Sequence, residues 1–291
     1  MSSPNTVRLG LIQSVCVTDT ETNLQTALDS AATAVERGAQ IVCLPEMYRS
    51  RYFCQTEDHS LFDLAETIPG PSTNAFQAFA LKHQVVMVVP IFEKRAQGLY
   101  HNSAVVIDAD GSIAGMYRKM HIPDDPCFYE KFYFTPGDLG FRSFDTRYGR
   151  IGVLICWDQW FPEAARLTAL TGAQILFYPT AIGFQDCDAQ YATRQREAWQ
   201  TVQRGHAISN GVFVASVNRF GREDALQFWG NSFVSDPFGA IIAQGPNDRA
   251  EILLADCDLN LIEETRRNWP FLRDRRVDAY SNILKLYDDE K

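Results

Sequence analysis

Short apolar runs suited to burial on both faces alternate with amphipathic helical patterns, and the alternation occurs twice along the chain. In the first half the runs are 7–13, 41–44 and 85–92. Helical patterns cover 19–37 and 72–83, and a hairpin pairs 102–108 with 112–119 across Asp110-Gly111. In the second half the runs are 151–155, 175–179 and 212–218. Helices begin at Pro162 and span 190–208, and a hairpin joins 231–234 to 240–243 across Asp236-Pro237-Phe238-Gly239. A last strand at 251–257 and a short helix at 259–267 follow. Continuous apolar strands must be covered on both faces, and amphipathic helices need a sheet to cover. Two halves of this kind predict an α/β protein with two sheets face to face and helices outside, a four-layer α-β-β-α sandwich. No linker separates the halves, so 1–291 reads as one domain. The tail from about 268 has no place in that core and is expected to pack on a partner subunit.

The 27 basic and 36 acidic residues leave a net charge of −9, which argues against a nucleic-acid surface. The one dense basic run, Arg273-Asp274-Arg275-Arg276, carries an acid inside it. The seven cysteines are odd in number and scattered, without a Cys-x-x-Cys pair, and the five histidines have no zinc-ligand spacing. Reduced thiols, no leader-like N-terminus and no apolar run of membrane-spanning length predict a cytoplasmic protein without metal, membrane or nucleic-acid partners.

Three residues stand where apolar strands end. Glu46 follows 41–44 directly, Lys119 closes the first hairpin, and Cys156 ends the run 151–155 at a strand-to-helix turn. In sheets flanked by helices that edge is where ligands bind. Each has an ordinary alternative: a solvated carboxylate, an exposed lysine beside Arg118, a core cysteine. A helix N-terminus beside Cys156 would favour its thiolate. Together the three make a workable acyl-transfer set, with carboxylate as base, thiolate as nucleophile and ammonium as oxyanion partner. The Trp157 N–H is a natural second oxyanion donor. Neither a Gly-x-Ser-x-Gly elbow nor a Gly-x-x-x-x-Gly-Lys phosphate loop competes.

At Leu44-Pro45-Glu46, Tyr117-Arg118-Lys119-Met120-His121-Ile122-Pro123-Asp124 and Ile155-Cys156-Trp157-Asp158 the chain resembles the carbon–nitrogen hydrolase (nitrilase/amidase) superfamily, whose signature is a Glu-Lys-Cys triad. The resemblance spans nearly the whole chain. It implies the α-β-β-α sandwich, a homo-oligomer, no cofactor, and Glu46, Lys119 and Cys156 as catalytic residues. Glu130, in Tyr129-Glu130-Lys131-Phe132-Tyr133-Phe134, matches a second glutamate of the family that assists positioning. On the residues alone it is equally a surface partner for Lys131.

Within the superfamily the chain is most similar to the N-carbamoylputrescine amidohydrolases. The similarity rests on the segments around His121, Glu130 and Pro136, on Cys156-Trp157-Asp158-Gln159-Trp160-Phe161-Pro162-Glu163, and on Tyr178-Pro179-Thr180-Ala181-Ile182-Gly183. It implies hydrolysis of a small linear ureido or amide compound, with Tyr52, Trp157, Ala181 and Gln185 as substrate contacts. Two departures occur. Where those enzymes continue Ser-Glu-Pro, with a glutamate placed for a distal ammonium, this chain reads Phe184-Gln185-Asp186; Asp125-Pro126-Cys127 stands in place of Gly-Pro-Gly. Asp186 or Asp188 could replace the missing carboxylate. An anionic substrate, such as an N-carbamoyl β-amino acid or a dicarboxylic acid monoamide, would instead require a basic residue such as Arg194, Arg196 or Arg204. A catalytically silent binding protein on the same fold is the remaining alternative, and the intact triad argues against it.

Overall fold

The computed structural model describes residues 5–289. Strand β1 (Thr6–Gln13) leads through α1 (Thr20–Glu36) to β2 (Ile41–Cys43), and α2 (Pro71–His83) leads to β3 (Val86–Ala96). The hairpin β4 (Leu99–Ile107) and β5 (Ile113–Arg118) follows. Strands β1, β2 and β3 run parallel, with Leu9 opposite Ile41 and Ile41 opposite Val86, and β4 and β5 add antiparallel at the far edge. A one-turn helix α3 (Glu130–Tyr133) lies in the long loop after β5.

The second half repeats this plan. Strands β6 (Ser143–Thr146) and β7 (Gly149–Val153) precede α4 (Pro162–Leu170) and β8 (Ile175–Thr180). After a short β9 (Gly183–Gln185), α5 (Ala192–Asn210) returns the chain to β10 (Phe213–Asn218). Here β7, β8 and β10 are the parallel trio, with Ile151 and Phe213 both facing Ile175. Beyond the small hairpin β11 (Phe220–Glu223) and β12 (Leu226–Trp229), β13 (Phe233–Ser235) and β14 (Ile241–Gln244) extend the trio. Each five-strand unit then gains one antiparallel strand beside its first member. For β7 that strand is β6; for β1 it is β15 (Glu251–Asp258), which comes from the end of the chain.

Alternate residues of each strand face opposite ways, and two apolar sets result. Leu9, Cys43, Val88 and Val106 meet Ile151, Val153, Ile175 and Phe177 between the sheets. Val42, Met87 and Val105 pack outward against Ala27, Ala31 and Phe76 of α1 and α2. The molecule is the expected four-layer α-β-β-α sandwich. At Gly152 the fit of α4 onto β7 leaves no room for a side chain, since a Cβ there would lie 2.4 Å from Thr168 Cγ2.

The predicted boundaries shift by a residue or two, as at α5 and α6 (Asn260–Asn268), whose ends fray into turns. A third sheet, in the order β11-β12-β9, was not expected. It grows from the C-terminal ends of β8 and β10, and Phe220-Gly221-Arg222-Glu223 carries no apolar alternation that would mark a strand. Beyond α6, the side chains of Trp269, Phe271, Leu284 and Tyr287 are exposed.

Candidate active site

Strands β2, β5 and β7 are aligned so that their C-terminal ends open on one edge, and this brings Glu46, Lys119 and Cys156 into one cluster. Glu46 and Lys119 are both 0% exposed, so neither is the solvated strand-end residue that its position alone permits. The Lys119 ammonium donates to Glu46 Oε1 at 2.8 Å and to Glu130 Oε2 at 2.6 Å. Burial works against its charge, yet Glu130 and Glu46 outweigh that cost and hold the ammonium well above the usual lysine range. Asn102, at the start of the inner stretch of β4, donates its amide to the same Glu46 Oε1 at 2.7 Å. Glu46 Oε2 is buried and has no protein partner. One carboxylate oxygen is therefore pinned by two donors, and the other is free to take a proton.

Glu130 is not a surface partner of Lys131. Its Oε1 accepts from the Tyr52 hydroxyl at 2.8 Å, and burial, with Lys119 opposing and Glu46 reinforcing, pushes its carboxyl up to about 7. Tyr52 is itself buried behind Glu130 and is not part of the cavity wall, so its position is that of a support rather than of a substrate contact.

Cys156 begins a short helical turn, Cys156–Trp160, and α4 starts only at Pro162. The expected thiolate stabilisation by a helix N-terminus is overruled by burial. The thiol is pushed well above its ordinary range by desolvation, Glu46 adds to the shift, and Lys119 only partly opposes it. Burial thus favours the thiol over the thiolate, and the group lies within reach of the charges on both Glu46 and Lys119. Its backbone sits at φ +43°, in the left-handed region, where a side chain costs about 1–3 kcal/mol unless the surroundings impose it. Asp158 imposes it. Its Oδ2 accepts from the Ile155 N–H at 2.9 Å and the Tyr117 hydroxyl at 2.8 Å. Its Oδ1 meets the His121 N–H at 3.0 Å and His121 Nδ1 at 2.7 Å. The cysteine turn is thus bolted to β5 and to the loop that follows Lys119.

Glu46 is held from the other side. Arg219, fully buried, donates to the carbonyls of Glu46 (2.9 Å) and Met47 (2.8 Å) and pairs with both oxygens of Glu223. Glu223 Oε2 accepts from the Tyr52 N–H at 2.6 Å. Removing one member of such a pair strands a buried charge, at a cost of about 3–5 kcal/mol.

Sequence reasoning passed over Asn102, Arg219 and Glu223, and quoted Asp158 only as part of a motif. The role of Arg219 had little local signal beyond Glu223 four residues on, because the carbonyls it braces, those of Glu46 and Met47, come from the other half of the chain. Asn102 had a faint one, a polar residue entering an otherwise apolar strand.

The cluster opens into a cavity of about 480 Å³ whose walls include Cys156, Glu130, Trp157, Ala181 and Gln185. The walls also carry the aromatic rings of Phe128, Trp160, Phe184 and Trp229 and two carboxylates, the exposed Asp125 and the half-buried Asp188. The indole N–H groups of Trp160 and Trp229 are buried without a protein acceptor. Gln185 donates its amide to the Pro126 carbonyl at 3.0 Å. Asp186 does not reach the cavity; both its oxygens bond Arg222, at 2.7 and 2.8 Å, in the open. None of the described cavity residues is an arginine or lysine, and Arg204 is turned to the Gly239 carbonyl instead. No group of three or more metal-ligating side chains occurs among the described residues.

A carbon–nitrogen hydrolase family model matches residues 8–267. The chain is 43% identical to an N-carbamoylputrescine amidase of Oryza sativa subsp. japonica, over 98% of this chain and 96% of that one. It is 42% identical to a citrullinase of Francisella tularensis, over 87% of this chain and 90% of the other. The crystal structure of a carbon–nitrogen hydrolase from Helicobacter pylori G27 superposes with a TM-score of 0.94 at 47% identity, covering 97% of this chain and all of that one.

Proposed function

The chain belongs to the carbon–nitrogen hydrolase family, and we propose that it hydrolyses a small linear N-carbamoyl amine with a cationic distal end, N-carbamoylputrescine being the best fit. The acidic and aromatic wall of the cavity carries this reading. Asp125 and Asp188 complement an ammonium, and the rings beside them favour a cation on their faces. The Gln185 amide, turned to Pro126, is not the ammonium partner; Asp188, close to it in sequence, takes that role. An N-carbamoyl β-amino acid or dicarboxylic acid monoamide would place its carboxylate against this acidic wall, with no lysine or arginine among the described residues to receive it.

The chemistry follows from the hydrogen-bond pattern. Glu46 Oε2 takes the Cys156 proton as sulfur attacks the carbamoyl carbon, so no unpaired charge enters the buried cluster. The oxyanion that forms is stabilised by the Lys119 ammonium and the Trp157 N–H. Collapse of the tetrahedral intermediate expels ammonia, which leaves with the proton from Glu46. Water, deprotonated by the same carboxylate, adds to the S-carbamoyl (thiocarbamate) intermediate, and the thiol regains its proton as sulfur leaves. The carbamic acid released decomposes to carbon dioxide and the free amine. Glu130 holds Lys119 from the side opposite Glu46 and so aims the ammonium.

Ammonia release measured with N-carbamoylputrescine, citrulline and N-carbamoyl-β-alanine tests the assignment. The cationic compound is expected to have the highest kcat/KM. A preference for N-carbamoyl-β-alanine would overturn it.

A further inference from the structure

We propose that Cys127 and Cys187 form a thiol pair across the mouth of the cavity, a site at which a small disulfide oxidant makes an intramolecular cystine and closes the way to Cys156. Nothing in the hydrolytic scheme uses either residue. The other five cysteines, Cys16, Cys43, Cys54, Cys156 and Cys257, are buried, whereas Cys187 is exposed and Cys127 partly so.

Each thiol stands beside residues that line the cavity. Asp125, Pro126 and Phe128, which surround Cys127 in sequence, line the cavity on one side. Gln185 and Asp188, which flank Cys187, line it on the other. The two sides are already joined by the hydrogen bond from the Gln185 amide to the Pro126 carbonyl, 3.0 Å long, and Pro126 is bonded directly to Cys127. Cys187 is near enough for its charge to act on the Cys127 thiol.

The backbone gives Cys127 a second distinction. Residues 125–128 make a tight turn, with Phe128 N–H donating to the Asp125 carbonyl at 2.7 Å and a return bond of 3.4 Å. Proline occupies the second position and Cys127 the third, at φ +64°. That position takes glycine or asparagine at least cost. A cysteine is held there in a conformation its side chain disfavours, in the tight turn 125–128. A disulfide needs Cα atoms within about 7 Å, so the proposed cross-link requires the partly exposed turn at Cys127 and the short helix Asp186–Tyr191, which carries the exposed Cys187, to draw together.

The reaction balances with a small disulfide, RSSR, as oxidant. The more accessible thiolate, Cys187, attacks one sulfur and releases RSH, and Cys127 then attacks the mixed disulfide and releases a second RSH. The protein pair loses two electrons and two protons, and RSSR gains both. The functional consequence rests on the reading of Cys156 as the nucleophile in this cavity.

The full chain would be incubated with oxidised glutathione, followed by intact mass measurement and peptide mapping under non-reducing conditions. A mass lower by two hydrogens and a peptide linking Cys127 to Cys187 are expected. Ammonia release and alkylation of Cys156 by iodoacetamide should both be lost, and both should return with reductant. Cys127→Ser and Cys187→Ser should each keep ammonia release before and after oxidant. Absence of the cross-link, or an equal loss of activity in Cys127→Ser, overturns the proposal. A cross-link that leaves Cys156 alkylation unchanged overturns the closure. Mass and alkylation do not depend on the substrate, so a wrong carbamoyl assignment would leave both readouts interpretable.

Discussion

The two ends of the cavity are built on different physical terms. At the inner end Glu46, Lys119, Glu130 and Asp158 are buried, and each is held by at least two hydrogen bonds from distant strands and loops. At the outer end Asp125 is exposed and Asp188 half-buried, on turns that one Gln185–Pro126 bond ties together. Charges taken out of water need exact partners, so the inner end tolerates few residue types. The rim is solvated and can exchange residues with little cost to the fold. On the proposed reading, the chemistry belongs to the buried end and the choice of substrate to the solvated end.

The largest effect should come from the inner end. Cys156→Ala is expected to remove ammonia release by about 10⁶-fold, the scale seen when a nucleophile that works as a unit with its base is deleted. Retained turnover in a steady-state assay would show that sulfur is not the attacking atom. Glu46→Gln keeps the shape but cannot accept the thiol proton. It should lower kcat by about 10²–10⁴-fold, with a pre-steady-state burst lost as well. An intact burst would move the base elsewhere.

Effects at the outer end should be smaller and of another kind. Asp188→Asn together with Asp125→Asn is expected to raise KM for N-carbamoylputrescine about tenfold, one charge-assisted contact's worth, while kcat changes little. If kcat falls and KM does not, the rim belongs to the chemistry and the division between the two ends fails.

The smallest expected effect is a pH slope. Burial raises the Glu130 carboxyl to about 7, above its unfolded value of 4.5. The folded state therefore binds more protons than the unfolded state between those values, so this group's contribution to stability falls as pH rises from 4.5 to 7. Glu130→Gln should lose that part of the slope. Melting temperatures of both proteins at pH 5 and pH 7 check it, and parallel slopes would show that Glu130 does not titrate there.

Much of this was legible in one dimension. The doubled order of strands and helices follows from apolar periodicity, and parallel strands buried on both faces must read as unbroken apolar runs. The placing of Glu46, Lys119 and Cys156 at strand ends followed from the same pattern, and the family resemblance joined them. The small β9-β12-β11 sheet was not legible, because Gly183, Gly221 and Arg222 interrupt its apolar residues. The burial of Cys156, which opposes the thiolate that a helix N-terminus favours, was not legible for a related reason. A helix start is visible locally, but desolvation depends on every element packed around the thiol.

By itself, then, the sequence determined the two layered halves, the edge on which the polar residues gather and the family to which their motifs point. Periodicity and short motifs are local, and local information suffices for those. Only the tertiary structure decided that Glu46 keeps one oxygen free, that Arg219 braces its loop and that Asp158 locks the cysteine turn. It also set Asp188 on the cavity wall while Arg222 holds Asp186 outside. Those outcomes rest on hydrogen bonds and buried charges shared between segments far apart in the chain, and only folding brings such partners together.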